Sequence, residues 1–115
     1  MNEPTLNPKS GLLRFRIDIS YDGTNYAGWA KQPDQRTIQG ELESALSKII
    51  GVDLEVVAGG RTDAGVHATG QVAHIDIPET FTETENLVYR INRVLNPDIR
   101  VKRIALAPKD FHARF

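Results

Sequence analysis

One aspartate inside a glycine-rich segment is the residue whose type and setting best suit chemistry. Asp63 lies in the stretch AGGRTDAGVHATGQVAHIDI, residues 58–77. Four glycines bracket it: Gly59, Gly60, Gly65 and Gly70. A surface turn needs only one or two glycines to reach positive φ, so this number indicates that something large approaches the backbone closely. An ionised carboxylate held in position can act as a nucleophile or as a base.

Two other kinds of site fit the segment less well. A phosphate-binding loop needs the spacing G-x-x-x-x-G-K-[ST] at the start of a helix, whereas the residues after Gly65 continue into a strand. A metal site could draw on histidines and aspartates, but no pair has the i, i+4 spacing on a predicted helix that makes such a site specific. These residues are His67, His74, His112, Asp63 and Asp76. The residue pattern therefore favours carboxylate chemistry and predicts no metal.

Arg61 precedes Asp63 by two residues. In an extended segment both side chains can point the same way, so the guanidinium is predicted to hold the aspartate ionised and could also meet a phosphate. An ordinary arginine–aspartate pair on a surface turn explains the same two residues. Single residues do not decide between these interpretations.

Composition limits the class of protein. The chain has 115 residues with 40% hydrophobic content, which is enough for one core and indicates one domain. Its 14 basic and 15 acidic side chains give no global sign of a nucleic-acid partner, although a local patch can hide in a balanced total. The absence of cysteine excludes a disulfide framework and thiolate metal sites. With no apolar run suited to a signal or membrane segment, we expect a cytoplasmic protein.

Hydrophobic periodicity predicts the element order β-α-β-β-α-β. Residues 1–12 show no periodicity and are expected to form a flexible tail before a domain spanning residues 13–115. Alternation predicts strands at 13–21, 54–58, 71–77 and 99–106, the last with a bulge near Lys102 and Arg103. A helix is predicted from Ile38, with Thr37 as N-cap and Gly51 as its stop. A second is predicted before Asn96, opened by a capping box of Thr82 and Glu85.

This order is that of an α+β, ferredoxin-like fold with an antiparallel sheet and two helices on one face. Strands one and three then lie side by side, and their other face is predicted to be an open polar surface. The predicted members are Arg14, Arg16, Asp18, Ser20, Val72, His74 and Asp76. RNA-recognition domains stack bases on aromatic residues of that face, and none occurs here, so a plain RNA-recognition module is disfavoured.

Several segments resemble, in order along the chain, those of the tRNA pseudouridine synthase A family. GGRTDAGVHATGQVAHID is similar to the family signature, whose consensus is A-G-R-T-D-x-G-V-H. YDGTNYAGW, TIQGELESAL, INRVLNPDIRV and DFHARF match further segments, so the resemblance runs from about Phe15 to Phe115. Full-length members continue into a second, similar half, and the resemblance therefore implies an N-terminal portion that is inactive alone.

The resemblance assigns roles to individual residues. It makes Asp63 the catalytic nucleophile and Arg61 its neighbour, which pairs with the aspartate and displaces the target base. Residues implied to contact substrate or RNA are Arg61, Thr62, Gly65, His67, Trp29 and Gln32. His67 is also expected to be a hydrogen-bonded packing residue rather than a proton shuttle. Ala30 stands where many members carry glutamine, which weakens one local RNA contact.

The implied reaction converts uridine to pseudouridine in the tRNA anticodon stem-loop, at positions 38–40, with no metal or cofactor and with a homodimer as the full-length enzyme. The carboxylate either adds to C6 of the base or assists at the sugar. The base must leave its stack at a cost of about a few kcal/mol, and close approach of the flipped nucleotide would explain the glycines. Two other interpretations remain: a non-catalytic ferredoxin-like RNA- or protein-binding module, and a small-molecule regulatory domain with a closed pocket beside the glycines.

Overall fold

A computed structural model describes residues 11–114 and confirms the predicted order of elements. The elements are β1 (Leu12–Tyr21), α1 (Ile38–Ile50), β2 (Val57–Ala58), β3 (Ala68–Pro78), α2 (Leu87–Val94) and β4 (Ile99–Leu106). The strands form one antiparallel sheet in the order β2-β3-β1-β4, as a ferredoxin-like fold requires. Residues 1–10 of the predicted tail lie outside the described residues, and Leu12 already belongs to β1.

The core lies between the sheet and the two helices. Alternate side chains of β1 and β3, with Ile17 and Ile75 as examples, are fully buried, and they pack with Leu42 of α1 and Ile91 of α2 in one hydrophobic cluster. The cluster explains why alternation in the strands and helical spacing in α1 predicted these elements correctly, since each pattern marks the face that leaves water.

The structure confirms several local features that the sequence predicted. The Thr37 hydroxyl accepts a 3.1 Å hydrogen bond from the Gly40 N–H, and Gly51 ends α1 at φ 90°, so both predicted caps are confirmed. The predicted bulge in β4 is also present. The partner of Asp18 is Arg103 and that of the next residue is Val101, which leaves Lys102 as the extra residue.

The open polar face is only partly confirmed. Arg14 lies opposite Asp76 and donates two hydrogen bonds to its carboxylate, of 2.8 and 2.9 Å, which raise the pKa of Arg14 above its ordinary value. However, the segment that follows β4 crosses this face. Arg14 also donates to the Phe111 carbonyl at 2.7 Å, and the Ala113 N–H donates to Nδ1 of His74, which is 3% exposed. The face is polar, as predicted, but residues 111–113 cover part of it.

The second strand is shorter than predicted because α1 binds its first half. Val57 and Ala58 pair with β3, whereas the Val56 N–H donates to Oε2 of Glu43 at 3.0 Å. Gln39 donates from its side-chain amide to the Val56 carbonyl at 3.3 Å and to Glu43 at 2.9 Å. Side chains of a helix therefore satisfy a backbone that the sequence pattern assigned to the sheet.

The predicted capping box at the start of α2 is wrong. The helix begins at Leu87, its N-cap is Asn86, and the Asn86 side chain makes no capping hydrogen bond. The Leu87 N–H donates instead to the Thr84 carbonyl at 3.2 Å, so a turn precedes the helix where the Thr82–Glu85 pattern predicted its first residues.

Two loops at one end of the sheet pack backbone against backbone. The first, the β1–α1 loop, comprises residues 22–37, and the second, the aspartate loop, comprises residues 59–67 and contains Asp63. An ideal Cβ added to Gly23 would lie 2.0 Å from the Val66 carbonyl oxygen, and one added to Gly28 would lie 2.8 Å from that of Thr62. Gly28 also has φ 96°, which side chains rarely adopt. Glycine is therefore required where the β1–α1 loop touches the aspartate loop.

Truncation of Glu43 should destabilise the fold without touching the aspartate loop directly. Glu43→Ala leaves the Val56 N–H unsatisfied, and an orphaned buried donor costs about 1–3 kcal/mol. We expect a lower midpoint in chemical denaturation of the complete gene product. Ser44→Ala, at the next and exposed position of α1, is the matched control. Equal midpoints for the two variants would contradict this role of Glu43.

Glycine positions in the two loops should differ sharply in their tolerance of alanine. Gly23→Ala places a methyl group against the Val66 backbone and should lower stability by at least about 1 kcal/mol, as overpacked sites do. Gly60→Ala is the control, because a Cβ there meets nothing within 4 Å. Thermal unfolding of both variants measures the difference, and a Gly23→Ala protein as stable as Gly60→Ala would show that the loops do not pack as described.

Candidate active site

Thr62, the residue before Asp63, is fixed at two points. Its carbonyl accepts a 2.9 Å hydrogen bond from the Trp29 N–H, and its hydroxyl shares a 2.8 Å hydrogen bond with the hydroxyl of Tyr21. One bond comes from the β1–α1 loop and the other from the last residue of β1. The Thr62 hydroxyl is thus hydrogen-bonded within the protein, and the predicted contact of Thr62 with substrate or RNA stays a prediction.

Further bonds fix the rest of the aspartate loop. At its beginning the Gly59 N–H donates to the Val72 carbonyl at 2.7 Å, and the Gly60 carbonyl accepts from the Gln71 amide at 2.6 Å. Past the aspartate, the Gly65 N–H donates to the Tyr26 carbonyl at 3.3 Å. The backbone on both sides of Asp63 is therefore tied to the sheet or to the β1–α1 loop.

The side chains of Asp63 and Arg61 are both exposed. Within residues 11–114, neither makes a hydrogen bond or an ion pair through its side chain. The predicted pairing of Arg61 with Asp63 is therefore wrong for this structure. The carboxylate oxygens of Asp63 are open to a substrate, and the nucleophilic role of this residue stays a prediction.

The glycines of the aspartate segment divide into two groups. A Cβ on Gly59 would lie 2.7 Å from the Ala113 carbonyl oxygen, so the chain itself makes the close approach at that position. Gly60, Gly65 and Gly70 face open space. Gly65 is required for its φ of 79°, which closes the turn after Asp63. Space is thus open at these three glycines and not at Gly59, and its occupation by a nucleotide stays a prediction.

His67 links the two loops through one ring nitrogen. The Gly23 N–H donates to Nδ1 of His67 at 2.9 Å, so the neutral ring carries its hydrogen on Nε2. The ring is hydrogen-bonded, as predicted, but its side chain is 60% exposed rather than packed. Oδ1 of Asp22 lies 3.1 Å from the same Nδ1. Hydrogen bonds from the Thr24 hydroxyl and N–H lower the pKa of the Asp22 carboxyl below its ordinary value.

Trp29 cannot present its side chain to RNA in this structure. Only 2% of the residue is exposed, and its ring packs in the core at 6.1 Å from that of Tyr21. The predicted RNA contact of Trp29 is therefore corrected: the residue acts through its backbone N–H on Thr62. Gln32 is exposed and donates to the Ala27 carbonyl at 3.2 Å, so its predicted RNA contact stays a prediction.

Tyr26 is a structural residue of the site that sequence reasoning missed. It is 4% exposed, and its hydroxyl donates a 2.5 Å hydrogen bond to Asp98, just before β4. The Arg36 guanidinium lies 4.7 Å from the centre of its ring. Burial and the Asp98 bond raise the pKa of Tyr26 to about 12. The sequence feature that could have indicated this role is a tyrosine within a loop that contains glycines. If its ring is buried, its hydroxyl needs a hydrogen-bond partner.

Across residues 11–114 there is no cluster of three or more histidine, aspartate or glutamate side chains that could hold a metal ion. In the same part of the chain, no helix has the length and apolar character needed to span a bilayer. Asp63 and Arg61 are exposed charged side chains of the aspartate loop, which also contains the open positions Gly60 and Gly65.

The sequence of this chain is similar to those of known proteins. Residues 18–115 match the family described as tRNA pseudouridine synthase. A protein of Cutibacterium acnes named tRNA pseudouridine synthase A is 49% identical over 106 residues, which cover 90% of this chain and 38% of that protein. The proteins of the same name from Frankia casuarinae and Mycobacterium leprae are 49% and 47% identical, with 38% and 40% of their lengths covered.

The chain thus spans about two fifths of the length of these relatives. The matched region contains the whole aspartate loop and the whole β1–α1 loop. By the extent of the family match and the identity to these relatives, the chain belongs to the tRNA pseudouridine synthase family.

Proposed function

We propose that the complete gene product converts uridine to pseudouridine in tRNA with the Asp63 carboxylate as nucleophile. The family supports the reaction class. The nucleophilic role of Asp63 is supported by a contrast between its side chain and its backbone. Its carboxylate is exposed and unpaired within the described chain, while the backbone before and after it is fixed by hydrogen bonds. A nucleophile needs both freedom at its reacting atoms and a fixed position.

The proposed reaction is an isomerisation. The bond between N1 of uracil and C1′ of ribose breaks, and a bond between C5 and C1′ forms. The proton on C5 passes to water and N1 gains a proton, so no oxidant, metal or cofactor is required. The carboxylate forms a transient bond either to C6 of the base or to the sugar. Both routes need the uridine out of its stack, and the open side of the loop at Gly60 and Gly65 offers room for it.

We propose that Arg61 contacts the RNA directly. Its guanidinium is exposed and has no partner among residues 11–114, and it precedes the nucleophile by two residues. A planar guanidinium can bind a phosphate through two hydrogen bonds or fill the space of a displaced base. The Nε2–H of His67 and the side chain of Gln32 are further exposed donors at the same end of the sheet.

The substrate and assembly are proposed by resemblance to the family. We propose that the complete gene product is a cytoplasmic homodimer that acts on uridines 38–40 of the tRNA anticodon stem-loop. A net charge of −1 gives this chain no overall attraction for RNA. Phosphate contacts must therefore come from individual cations such as Arg61 and from the rest of the assembly.

The test is release of tritium from tRNA that carries 5-tritiated uridine, measured with the complete gene product. The wild type should release tritium, because C5 loses its hydrogen when it bonds to C1′. Asp63→Asn keeps the shape of the side chain but removes the nucleophile, and the rate should fall by at least about 10³-fold. Asp53→Asn, at an exposed position after α1, is the control and should retain the wild-type rate.

Two outcomes would contradict the proposal in different ways. A folded, tRNA-binding wild type that releases no tritium would favour a non-catalytic RNA-binding module. Release that persists undiminished in Asp63→Asn would keep the reaction but assign the nucleophile to another residue.

A further inference from the structure

We infer that Tyr21 is a positioning residue for the Asp63 carboxylate, and that it acts through its hydrogen bond to the Thr62 hydroxyl. The inference rests on the proposed function, because it takes Asp63 as the nucleophile. It adds a residue that touches no reacting atom but determines where the reacting atoms lie.

Tyr21 is a fixed reference point in the fold. It is the last residue of β1, and its backbone lies between Ala68 of β3 and Ile99 of β4 in the sheet. The residue is 5% exposed, and its ring packs against that of the buried Trp29. Core packing therefore determines the position of the Tyr21 hydroxyl to within the tolerance of a close-packed interior.

The hydroxyl of Tyr21 meets the aspartate loop at the residue that precedes the nucleophile. Its oxygen is 2.8 Å from Oγ1 of Thr62, and the Thr62 carbonyl is bonded in addition to the Trp29 N–H at 2.9 Å. The Thr62 residue is thus held by its side chain from the sheet and by its backbone from the β1–α1 loop. Two bonds at different ends of one residue restrict rotation as well as translation, which one bond does not.

The Asp63 carboxylate depends on this anchor because the side chain has no partner of its own in the described chain and takes its direction from the backbone. Its side chain has no hydrogen-bond or ion-pair partner in residues 11–114. Its carbonyl accepts a 3.1 Å bond from the Val66 N–H, but that bond closes a turn within the same loop and moves with it. The direction of the carboxylate is therefore set by the backbone at Thr62, before it, together with Gly65, after it, whose N–H donates to the Tyr26 carbonyl at 3.3 Å.

Loss of the Tyr21 hydroxyl should slow the chemical step more than it weakens binding. Tyr21→Phe removes one oxygen and leaves the ring packing in place. The Thr62 hydroxyl then loses its partner, and the loop gains freedom at the residue before the nucleophile. Small displacements of a reacting group are costly in rate, whereas RNA affinity arises from many phosphate contacts elsewhere.

The experiment measures kcat and KM for tritium release by the complete gene product and its variants. Tyr21→Phe and Thr62→Val, which remove the same hydrogen bond from opposite ends, should each lower kcat by about tenfold with KM changed less than about twofold. The double variant should be no slower than either single variant, because both remove one interaction. Thr62→Ser keeps the hydroxyl and should restore most of the wild-type kcat.

Tyr89→Phe is the matched control, since Tyr89 lies 64% exposed on α2 and its hydroxyl is bonded only by Arg93 among the described residues. Its kcat should equal that of the wild type. A thermal unfolding curve for each variant separates loss of rate from loss of fold. If Tyr21→Phe unfolds, Thr62→Val and Thr62→Ser test the same bond from the half-buried Thr62.

The failure of this inference differs from the failure of the proposed function. A wild type without activity would overturn the proposed function itself. An active wild type, an inactive Asp63→Asn and an unchanged kcat in Tyr21→Phe and Thr62→Val would overturn the role of Tyr21 alone. Additive effects of the two substitutions would also overturn it, because independent losses cannot come from one shared hydrogen bond.

Discussion

The hydrogen bond from the Trp29 N–H to the Thr62 carbonyl requires two irregular backbones to touch, and the geometry of the site depends on that contact. Backbone groups in loops that leave water must find partners, and regular ladders do not reach them here. The two loops instead provide hydrogen-bond partners for each other. Gly28 leaves space for their close approach, and the Tyr26 carbonyl accepts a hydrogen bond from the Gly65 N–H. The segment that contains Asp63 is therefore irregular in shape, yet hydrogen bonds attach it to the fold on both sides of that residue.

The sheet provides the reference frame for this contact. Tyr21 ends the central strand β1, and its hydroxyl extends the hydrogen bonding of the sheet into the aspartate loop. Just before β2, which leads into the same loop, the buried carboxylate of Glu43 accepts a hydrogen bond from the Val56 N–H. Polar groups at the boundary of the core thus fix segments that hydrophobic packing alone leaves undefined.

Sequence predicted the parts of the fold that depend on local pattern. Alternation located β1 and β3, helical spacing with Thr37 and Gly51 located α1, and the slipped alternation located the bulge at Lys102. It failed where a backbone group has another hydrogen-bond partner, a distant side chain at β2 and a local turn at α2. β2 lost its first residues to α1, and the motif that resembled a capping box gave way to a turn that starts α2 later.

At the candidate site, too, the sequence predicted what depends on local pattern and failed where long-range packing decides. Motif resemblance identified the aspartate loop, because the order of residue types is a one-dimensional property. It placed Trp29 at an RNA surface and paired Arg61 with Asp63, and both errors concern the direction of a side chain. Burial of Trp29 and the open position of Arg61 follow from how two loops distant in sequence pack, which no spacing within either loop records.

The measurement that tests the packing of the loops most directly is amide hydrogen exchange in the complete gene product, read at Trp29 and Gly65. Both N–H groups donate across the contact between the loops, and Trp29 donates to the carbonyl that precedes the nucleophile. The Trp29 amide should be protected to the same degree as the core amide of Ile17. Exchange at Trp29 as fast as at the exposed Asp34 would show that the β1–α1 loop does not hold the aspartate loop, and would contradict the packing described above.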